Sequence, residues 1–81
     1  MFLHVSKAEY IDGYNLYLEF NNGIKGRANL EKSLWGEAFL PLKKDINLFK
    51  TAHVAPVLNT VVWNNGVDFA PEFLLSCVSK N

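Results

Sequence analysis

From Tyr14 to Leu30 the chain alternates. YNLYLEF sets Leu16, Leu18 and Phe20 on one side and Tyr17 and Glu19 on the other; IKGRANL sets Ile24, Gly26, Ala28 and Leu30 opposite Lys25, Arg27 and Asn29. A period of two marks half-buried strands. The connection Asn21-Asn22-Gly23 is decided by register. A turn of Asn22 and Gly23 alone sets Phe20 against Lys25 and Leu18 against Arg27, which buries charge. A loop of all three residues, with Gly23 in the left-handed conformation, pairs Phe20 with Ile24, Leu18 with Gly26 and Leu16 with Ala28. On the outer face Glu19 then meets Lys25 as an ion pair and Tyr17 meets Arg27 as a cation–aromatic contact, each worth about 0.2–1 kcal/mol. The small residues Gly26 and Ala28 leave room for something bulky to lie across that sheet.

Upstream, LHVSKAEY reads as a first strand, and Asp12-Gly13 turns the chain into the second. The apolar parity shifts from Leu3 and Val5 to Ala8 and Tyr10, which predicts a bulge near Ser6 or Lys7. After Leu30 the period changes. LEKSLWGEAFLPL holds at most a short helical turn before Gly36, and Pro41 prevents a longer helix. DINLFKTA predicts a short helix with Asp45 at its N-terminus and Ile46, Leu48 and Phe49 facing inward. HVAPVLNTVVW supplies two further short strands, with Pro56 at an edge because it cannot donate to a ladder.

The segment TVVWNNGVDFAPEFLL closes the pattern. Trp63 ends a strand, Asn64-Asn65-Gly66 repeats the loop chemistry of the first hairpin, and Pro71 launches a helix with Glu72 at the positive end of its dipole. Phe73, Leu74, Cys77 and Val78 form the apolar stripe expected to cover the sheet. Asp68 is expected to accept hydrogen bonds from the loop amides of 65–71 or from the indole of Trp63. The fold class that follows is α+β: an antiparallel sheet of about five strands, short central helices and a C-terminal helix packed on the sheet, all in one domain spanning 1–81.

Composition narrows the function. Eight basic and eight acidic residues cancel and are scattered, so direct nucleic-acid binding is not expected. No stretch has the apolar length of a signal peptide or a membrane span, and one cysteine among 81 residues suits a reducing compartment, so a cytoplasmic protein is expected. Two histidines and Cys77 have no metal-ligand spacing, and no cofactor is implied. Asp68 and Glu72, four apart at a helix start, are the best acid–base pair on offer, yet no nucleophile accompanies them. His53 reads as a strand-end residue bonded locally, His4 as solvent-facing and Cys77 as an inert core thiol. Trp35, Phe39 and Leu40 either form an exposed docking patch or close one end of the core; the second is expected, because a domain this small needs its large apolar residues inside.

The set YNLYLEFNNG, LKKDINLFK and W-x-N-G-x-D-x-x-P-E-x-L, here Trp63, Asn65, Gly66, Asp68, Pro71, Glu72 and Leu74, resembles the bacterial family known as domain of unknown function 2442. The resemblance covers essentially the whole chain. It implies a small α+β domain with no established reaction, found alone or ahead of a helix-turn-helix domain, and in some cases encoded beside another small protein in a toxin–antitoxin-like arrangement. Two positions depart from the pattern. Asn64 stands where proline is frequent, and Ala70 stands where a serine often caps the helix, a loss of about 1 kcal/mol unless Asp68 compensates. The resulting expectation is a non-enzymatic interaction module, antitoxin-like or regulatory, acting through a partner such as the product of an adjacent gene, or as a homodimer through an exposed strand edge. The competing class is a small enzyme or ligand-binding protein built on Trp63, Asn65, Asp68 and Glu72.

Overall fold

Alternation in the first third of the chain produces an antiparallel meander of β1 (Val5–Asp12), β2 (Asn15–Phe20) and β3 (Lys25–Asn29) in the computed structural model, which describes residues 2–79. The β2–β3 register is the one that parity demands: Glu19 faces Lys25, Leu18 faces Gly26, Tyr17 faces Arg27 and Leu16 faces Ala28. Gly23 adopts φ +89°, Phe20 N–H donates to Ile24 O at 2.9 Å and Gly23 N–H to Phe20 O at 3.1 Å, so all three loop residues are used. The register shift between Val5 and Lys7 is the expected bulge, and a second irregularity between Tyr10 and Asp12 turns Ile11 outward.

The expected side-chain pairs on the outer face do not form. Tyr17 Oη donates to Glu19 Oε2 at 2.6 Å, Lys7 lies 6.0 Å over the Tyr17 ring, and Arg27 reaches Asp12 at 3.6 Å. Glu19 is taken by the Tyr17 hydroxyl of its own strand, while β1, on the side of β2 away from β3, sets Lys7 opposite Glu19 and near the Tyr17 ring. Lys7 in turn pairs with Glu9 at 2.9 Å. The Tyr17 hydroxyl is held above its ordinary pKa by its bond to Glu19, and Lys7 above its own by the bond to Glu9.

Past β3 come a 3-10 turn at Glu31–Ser33, α1 (Leu40–Lys44) and α2 (Ile46–Phe49). Pro41 begins α1 instead of stopping a helix, because the first turn needs no N–H from it. Asp45 caps α2 through its carboxylate and the Asn47 N–H at 3.0 Å, as its position predicted.

β4 (His53–Ala55) and β5 (Thr60–Val62) pair antiparallel as a separate two-stranded sheet, so the strands divide between two sheets. A bond from Val5 N–H to Asn59 O at 3.0 Å ties the two sheets together. Pro56 sits in the turn beyond β4 and not at a strand edge, and Val57 beside it is 91% exposed.

α3 (Pro71–Cys77) buries Leu74, while Phe73 points to the surface and Val78 lies past the helix end. Val78 bridges Ala28, and Ser79 N–H donates to Arg27 O at 2.8 Å. The room left by the small residues of β3 is thus filled by the chain's own last described segment. A Cβ on Gly26 would meet Val78 Cγ1 at 2.9 Å. The same contacts cover the edge of β3, and the bridge Val62–Asp68 covers that of β5, which removes two edges from strand addition.

Candidate functional site

An aromatic file runs through the core and out to one surface. Tyr10 and Tyr14 meet Phe49 edge-on, Phe49 lies 5.8 Å from Trp63, and Trp63 meets Phe69 edge-on at 5.8 Å. Phe69 then stacks on Phe39 at 4.5 Å and 9° and lies 4.8 Å from Phe73. Beyond that stack, Ser33, Trp35, Phe39, Phe69 and Phe73 line a groove of about 260 Å³. Trp35 stands at it 75% exposed, so it does not close the core as expected. Gly36 at φ +85° turns the chain straight after Trp35, ahead of α1. Phe39 is half-buried and Leu40 exposed.

The corner after β5 holds this groove together by a route other than the expected one. Gly66 takes φ +91°, Trp63 N–H donates to Val67 O at 3.0 Å and Gly66 N–H to Trp63 O at 2.9 Å. Val62 then bridges Asp68 and Thr60 Oγ1 donates to Phe69 O at 2.6 Å, which sets the Phe69 ring edge-on against Trp63. The indole of Trp63, itself 1% exposed, donates to Phe49 O at 2.9 Å and not to Asp68. The Asp68 side chain is exposed and accepts no hydrogen bond from the described residues. Nor does it cap α3: Ala70 is the N-cap with no side-chain bond, and Pro71 alone starts the helix. Asn65 Oδ1 accepts from Val67 N–H at 3.4 Å.

Asp68 and Glu72 are not brought to one cavity. Glu72 lines a shallow depression of about 490 Å³ with Ile24, Leu75, Ser76 and Val78, and neither acid lines the aromatic groove. His53 Nδ1 lies 2.7 Å from Thr51 O; a carbonyl only accepts, so that nitrogen carries the proton and the ring is locally bonded as predicted. His4 is half-buried, not fully solvent-facing, and Cys77 is half-buried and free. Among the described residues no group of three His, Cys, Asp or Glu side chains could hold a metal, and no helix is long and apolar enough to cross a membrane.

Reading the sequence for chemistry missed Phe69 and Phe73. The available signal was their spacing of four around Pro71, matched by Trp35 and Phe39, also four apart.

Fold and site together define a small α+β domain in which the corner after β5 positions an aromatic surface. The chain belongs to the family described as Protein of unknown function (DUF2442), whose model matches residues 5–77. No curated protein and no solved structure matches it.

Proposed function

We propose that this chain is a non-enzymatic protein-interaction module, antitoxin-like or regulatory, that binds a protein partner through the groove of Trp35, Phe39, Phe69 and Phe73. The exposure of Trp35 carries this reading. A tryptophan three-quarters exposed beside a stacked aromatic pair leaves costly apolar surface in water, and tryptophan dominates binding energies where a partner covers it. Strand addition is the weaker route, since the chain already occupies the β3 and β5 edges.

The test is co-expression of the tagged chain with the product of the adjacent gene. A co-eluting complex is expected, and Trp35→Ala should weaken it by at least about 2 kcal/mol, roughly thirtyfold in Kd. A complex indifferent to Trp35 would move the interface elsewhere. Repeated failure to form one, with both proteins folded, would remove the basis for an adjacent-gene partner.

A further inference from the structure

We propose that Asn65-Gly66 is a site of spontaneous covalent modification, deamidation to aspartate and isoaspartate, and that the fold protects its twin Asn22-Gly23. Asparagine before glycine is the dipeptide most open to this chemistry, because no side chain on the following residue hinders ring closure. The Gly66 backbone nitrogen, losing its proton to solvent, attacks Cγ of Asn65. The C–N bond of the side-chain amide breaks and ammonia leaves. Water then opens the succinimide at either carbonyl, giving aspartate or its main-chain isomer. Solvent water is the only co-reactant, and both loops are exposed to it.

The two sites share their flanking chemistry, Asn-Asn-Gly-Ile and Asn-Asn-Gly-Val, and each glycine N–H is tied to the carbonyl three residues back, at 3.1 Å for Gly23 and 2.9 Å for Gly66. Attack therefore requires local opening of the loop. What differs is the clamp. Asn22 Oδ1 is held by Ile24 N–H at 3.0 Å, whereas Asn65 Oδ1 is 3.4 Å from Val67 N, at the long end of the hydrogen-bond range. The first loop is further moored by Asn21, whose side chain takes His4 N–H at 2.9 Å and donates to Phe2 O at 2.8 Å. Among the described residues the second has one outside tie, Asn64 N–H to Thr51 Oγ1 at 3.1 Å. Reaction at Asn65 places a new carboxylate three residues before Asp68. The isoaspartate form also adds a methylene to the main chain of the corner that positions Phe69.

The experiment is incubation of the folded chain at mildly alkaline pH, with timed digestion and peptide mass mapping, beside a sample in concentrated guanidinium. In denaturant both sites should convert at similar rates. In the folded chain Asn65 should convert about five- to thirtyfold faster than Asn22, the advantage that loss of two net hydrogen bonds gives to loop opening. Asn21→Ala should bring the Asn22 rate up towards that of Asn65. Equal rates in the folded chain, a faster Asn22, or no conversion of Asn65 while the denatured sample reacts would each overturn the proposal.

Discussion

The same three residues, Asn-Asn-Gly, reverse the chain at 21–23 and at 64–66, with the same backbone bonds and the same left-handed glycine, at φ +89° and +91°. Their surroundings assign them different work. The first loop is a mooring: Asn21 gathers the segment before β1 against the hairpin. The second is a lever: it delivers Asp68 to Val62 and Phe69 into edge-on contact with Trp63, and through Phe69 it builds the groove. Local sequence sets the shape of a turn, and what the flanking residues touch sets its use.

The residues entering the two loops give the largest test of that contrast. Phe20 and Trp63 are both buried, but only Trp63 adds a hydrogen bond, to a Phe49 carbonyl whose other donor, Ala52 N–H, is at 3.3 Å. Trp63→Ala should cost about 5 kcal/mol and leave the chain largely unfolded, and Phe20→Ala nearer about 3 kcal/mol, by urea denaturation followed with circular dichroism. Trp63→Phe keeps a ring and should lose roughly 1–2 kcal/mol with the indole bond. If Phe20→Ala proved as damaging as Trp63→Ala, the second loop would have no special place in the fold.

A smaller effect separates the first asparagines. Asn21→Ala removes two hydrogen bonds of the mooring and should cost about 1–2 kcal/mol. Asn64 contributes its backbone N–H but no side-chain bond among the described residues, so Asn64→Ala should stay within about 0.5 kcal/mol. Equal losses in urea midpoint would erase the difference in mooring, and with it the reason for unequal ageing of the two loops.

What was legible in the sequence follows the range of the forces involved. The β2–β3 register and the bulge near Ser6 were readable because a half-buried sheet punishes every slip of parity. The caps and helix starts at Asp45 and Pro71 were readable because they are local. The partner of Tyr17 was not: parity sets Arg27 opposite it, but its hydroxyl bonds Glu19 within β2 and the cation over its ring is Lys7 of β1. Nor was the acceptor of the Trp63 indole, a carbonyl fourteen residues upstream. Trp35 lies in a segment without periodicity, so nothing in the pattern told that its ring would stand outside the core. The candidate site was therefore half visible: its scaffold residues Trp63, Gly66 and Pro71 could be read, Trp35 and Phe39 were offered as a docking patch but assigned to core closure, and Phe69 and Phe73 were not seen as part of it.

Asp68 gives the smallest effect and the sharpest meaning. As a motif residue it invites a role in tying down the corner, and Asp68→Asn would then cost about 1–3 kcal/mol for donors left unpaired. Among the described residues its carboxylate has no donor: the indole is committed to Phe49, the helix start has no side-chain cap, and the residue's tie to β5 runs through its backbone. Asp68→Asn should therefore shift stability by no more than about 0.5 kcal/mol, measured by urea denaturation. A backbone tie survives that change, so the Phe69 ring should keep its place and binding through Trp35 should persist. An unchanged melting curve with lost binding would instead put the free carboxylate in the partner's interface, next to the loop whose charge Asn65 changes with age. A large loss of stability would mean that in solution the side chain turns inward to the loop amides, and the corner would then be held by the aspartate after all.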